Sequence, residues 1–316
     1  MASVCCETSE THKGGNIDQI GFVGLGRMGR PMASNIRKKQ FPMTVHDVRP
    51  EPVEALEAIG ANAAPSPAAV AAASDVVVTM LPDNQAVEAV VLGADGVVAN
   101  ARPGGLVMDM STVDPGLTDR LAAAAAEAGL GFVDAPVGRL ASHADAGESL
   151  FMVGAAEADF QRVLPLLQAM GTTIHHCGPP GHGVRTKLVN NFLAIASCQM
   201  NAEALALAEA FGLDLETTLE VIHGTSATNG QLTMNYATKV LAGDTAPGFT
   251  IDLAHKDLSL ILEAANVART PLPVAAAARE SLSLARSGGY GGKDFSALLD
   301  HWCERAGLNK PRLTGG

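Results

Sequence analysis

Aromatic residues make up only 4% of the 316-residue sequence and charged residues only 17%, and basic side chains are outnumbered, 22 Lys and Arg against 33 Asp and Glu. With so few stacking rings and a formal net charge of -11, the chain has neither the basic face nor the ring platforms of a nucleic-acid binder. Long apolar runs are also missing. The Ala-rich stretch 121–126 is cut off by Glu127, far short of the roughly 20 residues that cross a bilayer, so no membrane span is expected. Cysteine is sparse: Cys5, Cys6, Cys177, Cys198 and Cys303 are odd in number, irregularly spaced and contain no CxxC pair. That excludes a disulfide framework and a zinc site and fits a reducing, cytoplasmic compartment; no metal is expected. Residues 1–17 lack the basic flank and apolar core of a signal peptide and read as a disordered leader. What remains is 47% hydrophobic, enough for a chain of this length to bury its own core and too much for a disordered one.

The first half alternates short β-branched runs with amphipathic helical patterns. Strands are expected at 20–23, 43–46, 76–80, 106–110, 132–134, 149–153 and 173–176, with helices beginning near Met28, Pro50, Pro67, Gln85 and Pro115 and another over 158–170. Strand–helix alternation predicts a doubly wound parallel sheet of the α/β class. After the breaker run Gly178-Pro179-Pro180-Gly181-His182-Gly183, residues 184–211 contain no Pro or Gly. They read as one helix of about 28 residues, well above the usual length. The patterns at 215–223, 231–242, 252–268, 273–286 and 295–306 are helical too. The expected organisation is therefore an N-terminal dinucleotide-binding domain over 18–181 and an all-α domain over 182–316. Long Ala-rich helices often pack between subunits, so a homodimer or homotetramer is expected.

The nucleotide expectation comes from Gly24-Leu25-Gly26-Arg27-Met28-Gly29, which follows a strand and opens a helix. In that context Gly24 allows the tight turn, Gly26 the approach of a pyrophosphate, and Gly29 the packing of helix on strand. The helix N-terminus offers free N–H groups to the phosphates. Asp47 ends the second strand about 20 residues on, where a ribose-binding acid belongs. A carboxylate there favours NAD over NADP, although Arg49 is the kind of residue that accommodates a 2′-phosphate.

Three further segments carry chemistry. In 183–191, Lys187 and Asn191 fall on one helix face with Asn190 beside them. An ammonium and amides converging beside a cofactor donate to a carbonyl oxygen, and desolvation would lower the lysine pKa; a single helical lysine is otherwise a solvated charge. Ser111 and Thr112 sit at the carboxyl end of a strand, where ligands bind in open parallel sheets or where a helix is N-capped. Gly138 and Arg139 follow another strand, as a close-approach glycine and an anion-gripping fork, or as a surface turn.

These residues, with the stretches GFVGLGRMGRPMA at 21–33, MLP at 80–82, DMST at 109–112, DAPVG at 134–138, GxxxKxxNN at 183–191 and HKDL at 255–258, resemble the β-hydroxyacid dehydrogenases, the group that contains 3-hydroxyisobutyrate dehydrogenase and tartronate semialdehyde reductase. The resemblance spans about residues 19–307. It implies a Rossmann-type domain followed by an all-α domain, and NAD-dependent interconversion of a small anionic aldehyde and its primary alcohol. By the same resemblance, Lys187 and Asn191 are catalytic. Gly24, Gly26, Arg27, Met28, Gly29, Asp47, Leu81, Pro82, Thr112 and Lys256 hold the cofactor. Ser111, Gly138, Arg139, Asn190 and Asn191 hold the substrate. The chain departs from the family where most carboxylate-specific members carry Ser-Gly-Gly after Asp-x-Pro-Val: here the residues are Gly138-Arg139-Leu140. That variant is similar to members that reduce 3-sulfolactaldehyde to 2,3-dihydroxypropane-1-sulfonate. Carboxylate substrates such as 3-hydroxyisobutyrate, tartronate semialdehyde or 4-hydroxybutyrate are the alternative. A non-catalytic cofactor-binding module is a third reading, opposed by the presence of both Lys187 and Asn191.

Overall fold

The structure is a computed structural model and describes residues 18–313; the leader expected at 1–17 lies outside them. The first half runs β1 (Ile20–Val23), α1 (Gly29–Lys38), β2 (Met43–His46), α2 (Pro50–Glu57), β3 (Asn62–Ala63), α3 (Pro67–Ala73), β4 (Val76–Thr79), α4 (Asn84–Leu92) and α5 (Val97–Asn100). It continues with β5 (Leu106–Asp109), α6 (Pro115–Glu127), β6 (Gly131–Asp134), β7 (Val137–Gly138), α7 (Ala141–Ala146), β8 (Ser149–Ala155), α8 (Glu157–Met170) and β9 (Gly171–Gly178).

The sheet order is β3-β2-β1-β4-β5-β6-β8-β7, with β9 on β8. From β3 to β6 every pairing is parallel. The order reverses between β1 and β4, and in such sheets the crevice at the carboxyl ends beside that switch receives the ligand. The central strands are apolar on both sides because both faces are covered. Val76 and Val78 join Leu106 and Met108 in one core, while Val77 and Val107 point through to the other. The β6–β8 and β7–β8 pairings are antiparallel. The two-residue β7 was not legible as a strand, being too short to show alternation.

The second half begins with α9 (His182–Ala210) and continues through α10 (Leu215–His223), α11 (Ile251–Val267), α12 (Pro273–Ser287) and α13 (Leu298–Ala306). Leu188, Ile195, Cys198 and Leu205 of α9 are buried against Leu258, Leu282 and Leu298 of the other helices. One expectation fails. Residues 231–242 are not a single helix but a π-helical turn, Gln231–Tyr236, and a 3₁₀ turn, Val240–Ala242. Lys239 leaves helical geometry at φ -115, ψ -104, its ammonium held by Asp244 at 2.6 Å. Tyr236 is fully buried, and its hydroxyl donates to the Cys198 carbonyl at 2.6 Å. The last pattern also starts later as an α-helix, behind a 3₁₀ turn at Phe295–Ala297 capped by Asp294.

Candidate active site

A cleft of about 1740 Å³ lies between the carboxyl ends of the parallel strands and the helical half, lined by the glycine turn, Asp47, Leu81, Pro82, Thr112, Lys187, Asn190, Asn191 and Lys256. Each glycine of the turn has its own physical reason. Gly24 sits at φ +94, and a Cβ on it would run into the Met80 carbonyl. A Cβ on Gly29 would run into the Gly24 carbonyl. A Cβ on Gly26 meets nothing within 4 Å; that space is open for a ligand rather than needed for folding. No side chain caps α1, whereas Ser66, Asp83 and Asp114 cap α3, α4 and α6. The turn thus leaves N–H groups for an anion, and the residues fit a dinucleotide pyrophosphate.

Asp47 is tied into this turn. Its Oδ2 accepts the Leu25 N–H at 2.7 Å, and its Oδ1 accepts the Arg49 N–H at 2.9 Å. The Arg49 Nε folds back onto the same carboxylate at 3.4 Å, with the side chain 59% exposed. Arg27 lines the cleft with the rest of the turn, and its guanidinium donates to the Pro247 carbonyl, which links the glycine turn to the helical half.

The chemistry-bearing side chains converge from α9 and α11. Asp134 accepts from the N–H groups of Gly181 at 2.6 Å and Val184 at 2.7 Å. It thereby caps α9 and fixes it to the end of β6. One turn on, the Lys187 ammonium donates to the Val137 carbonyl of β7 at 2.6 Å, leaving two of its three hydrogens free. Burial pushes the Lys187 pKa down and the nearby Lys256 adds to that, against the opposing pull of Asp257. Asn191, 5% exposed, donates to Asp257 at 2.6 Å and accepts from Asn190 at 3.1 Å, which leaves one amide hydrogen for a ligand. Lys256 donates to the Thr112 carbonyl at 2.5 Å and pairs with Asp257 at 3.5 Å. Lys256 therefore ties the cofactor-side strand end to the α11 acid that orients Asn191.

Two expected substrate contacts are differently placed. Ser111 is buried, 2% exposed; its hydroxyl donates to Asp109 at 2.7 Å and accepts the Leu81 N–H at 2.9 Å. It is a post behind the cleft wall that positions the Leu81 turn. Arg139 lines the cleft, but its guanidinium donates to the Glu148 carbonyl at 2.6 Å and to Thr172 and Thr173 at 3.3 and 3.1 Å. Its terminal nitrogens are engaged on the edge strand. It also stands at φ +70, the left-handed region, where the family pattern has glycine. Gly138 lines the cleft too, and a Cβ on it would approach the Leu150 side chain at 3.1 Å.

Sequence reading missed Asp257, whose one signal was its place beside Lys256 in the HKDL stretch, and the Val137 carbonyl, which carries no side-chain signal. It also missed Gln231 and Asn235, which line the cleft from the π turn.

The chain matches the family model for the NAD binding domain of 6-phosphogluconate dehydrogenase over residues 19–178, and the one for the NAD-binding domain of NADP-dependent 3-hydroxyisobutyrate dehydrogenase over 181–302. It is 41% identical to the 3-sulfolactaldehyde reductase of Escherichia coli K12, over 92% of this chain and 97% of that one. The chain belongs to the β-hydroxyacid dehydrogenase family. This dehydrogenase is also 40% identical to the 2-(hydroxymethyl)glutarate dehydrogenase of Eubacterium barkeri, over 94% and 98% of the two chains. Among solved structures it is similar to Mycobacterium tuberculosis 3-hydroxyisobutyrate dehydrogenase with L-serine, at TM-score 0.83 and 30% identity over 90% of this chain and 99% of that chain. The dehydrogenase is thus an NAD-binding oxidoreductase with a Rossmann-type half and a helical C-terminal domain. Among its described residues no helix is long and apolar enough to cross a membrane.

Proposed function

We propose that this dehydrogenase interconverts a small acidic aldehyde and its primary alcohol, and that the pair is 3-sulfolactaldehyde and 2,3-dihydroxypropane-1-sulfonate. The observation that carries the reading is Lys187: an ammonium withdrawn from water, fixed by one carbonyl and left with two free hydrogens, beside Asn191 in the cleft that the glycine turn opens. The Gly24–Gly29 turn, Asp47, Leu81, Pro82 and Thr112 would hold NADH, which would supply the hydride when bound. Lys187 donates a proton to the carbonyl oxygen as it becomes an alkoxide, and the remaining Asn191 hydrogen stabilises the same oxygen. In the oxidation direction neutral Lys187 takes the alcohol proton, which its lowered pKa favours. Lys256 keeps Thr112 and Asp257 in register. Gly138, Asn190 and Arg139 face the acidic head; for Arg139 this requires its guanidinium to exchange Thr172 and Thr173 for the anion. A fork of parallel donors suits three sulfonate oxygens.

A carboxylate-headed aldehyde is the second reading, favoured by the engagement of Arg139 on the edge strand. The test is turnover of 3-sulfolactaldehyde, tartronate semialdehyde, methylmalonate semialdehyde and succinic semialdehyde with NADH and with NADPH. The proposal expects the sulfonate with NADH to lead by at least about tenfold in kcat/KM, and a carboxylate in that position overturns it.

The enzyme assembles as a homodimer or homotetramer through the exposed Val189, Leu193, Met200 and Leu207 of α9, a reading that light scattering tests. Free Cys177, Cys198 and Cys303 fit work in a reducing cytoplasm.

A further inference from the structure

The Arg27 guanidinium and the Pro247 carbonyl that accepts from it lie 220 residues apart in sequence. Arg27 belongs to the glycine turn, and Pro247 to the segment between the 3₁₀ turn and α11. Gly26 and Arg27 line the cleft from the Rossmann-type half, and Gly248 and Phe249 line it from the helical half. The bond therefore spans the cleft at the level of the turn that fits a pyrophosphate. Arg27 is exposed, so the bond can break without disturbing a core.

The 244–249 segment is fixed to its own half. Asp294, fully buried, accepts the N–H groups of Gly248 at 2.9 Å and Phe249 at 3.2 Å, and its own N–H donates to the Thr245 carbonyl at 3.1 Å. Asp244 accepts the Ala246 N–H at 2.8 Å and the Lys239 ammonium at 2.6 Å. Lys239 also donates to the Ala246 carbonyl at 3.2 Å. Two adjacent carbonyls thus each take a cation, Ala246 from Lys239 of the helical half and Pro247 from Arg27 of the other. The segment is a fixed arm, and the partner that can swing is the long Arg27 side chain.

We propose that Arg27 and the 244–249 arm form a clasp across the cofactor cleft, and that opening of this clasp governs both the entry and the release of NADH. The clasp joins the two halves beside the α1 N-terminus, where a pyrophosphate finds free N–H groups. A mouth that must open before binding slows association as well as dissociation. A cation that only gripped a phosphate would slow dissociation and speed association, so its loss would change the two rates in opposite directions. The proposal concerns the cofactor alone and does not depend on which aldehyde the enzyme reduces.

The test is stopped-flow measurement of NADH association and dissociation by fluorescence, with no aldehyde present. Arg27→Met is expected to raise the dissociation rate about tenfold, the scale of one bond from a charged donor. It is expected to raise the association rate about threefold or more, because the mouth then stands open. Asp244→Ala leaves Arg27 in place and loosens the arm, so both rates should rise about threefold. Combined with Arg27→Met, it should change either rate by less than about twofold, because the two variants break one contact. Neither side chain belongs to a hydrophobic core, and melting temperatures check that both variants fold. Faster dissociation with unchanged or slower association in Arg27→Met overturns the clasp and assigns Arg27 to the phosphates directly. Unchanged rates in Arg27→Met, or effects of the two variants that multiply, also overturn it. None of these outcomes bears on the proton donor or the substrate.

Discussion

Asn191 donates an amide hydrogen to Asp257 over 2.6 Å, and that bond, with the one accepted from Asn190, sets which way the amide proposed as catalytic faces. Asp257 is 3% exposed and also holds Lys256 at 3.5 Å, so one buried carboxylate orients a group from α9 and a group from α11. Replacing it by Asn keeps the volume and removes the charge. Asp257→Asn is expected to lower kcat about 10- to 100-fold with KM changed less than threefold, because misplacement of a catalytic group acts on the chemical step. Steady-state kinetics in both directions check this; an effect confined to KM speaks against an orienting role.

The two charges beside Lys187 pull its pKa in opposite directions, and their removal separates them. Burial lowers it first, Asp257 raises it and Lys256 lowers it. In the proposed oxidation Lys187 acts as the base and must be neutral, so activity is expected to rise with pH through its pKa. Lys256→Met is expected to move that limb to higher pH, and Asp257→Asn to move it to lower pH. The pH profile of kcat for alcohol oxidation at saturating cofactor measures both shifts.

Gly26 and Gly29 separate binding from folding. A Cβ at Gly26 meets nothing, whereas one at Gly29 collides with the Gly24 carbonyl. Gly26→Ala should leave the melting temperature of the cofactor-free enzyme within about 2 °C and weaken NADH binding tenfold or more, since the methyl fills the space for the pyrophosphate. Gly29→Ala should lower the melting temperature by several degrees, about 2–4 °C for each kcal/mol lost. Calorimetry paired with fluorescence titration distinguishes the two.

Asp134 makes stability depend on pH with an unusual sign. Burial raises its pKa to about 6 despite the two N–H groups it accepts. Between the unfolded value near 4 and about 6, the folded chain holds more protons than the unfolded one. The contribution of Asp134 is therefore fully present below pH 4 and declines as pH rises through 6. Urea melts of wild type and Asp134→Asn at pH 4 and pH 7 should show the wild type losing up to about 3 kcal/mol relative to the variant over that interval.

Features set by local backbone demands were legible in the sequence. The glycine turn, β1, β2, the span of α10 and the length of α9 follow from a few adjacent residues and their periodicity. So does the pairing of Lys187 with Asn191, because helical spacing alone puts them on one face. Side-chain direction across long separations was not legible. Ser111 turned to Asp109 and the Leu81 turn rather than to the cleft, and Arg139 turned to residues on the edge strand. Asp257 gained its role only when α11 was packed against α9. The π turn escaped because its residues keep a helical apolar pattern, and only burial of Tyr236 against Cys198 reveals it.

The most direct test is the rate of the first turnover in Lys187→Ala, followed by stopped-flow loss of NADH fluorescence with saturating aldehyde. The account predicts a fall of about 10³-fold or more in that step, with NADH affinity within threefold of wild type. A first-turnover rate within tenfold of wild type would contradict the assignment of the proton to Lys187.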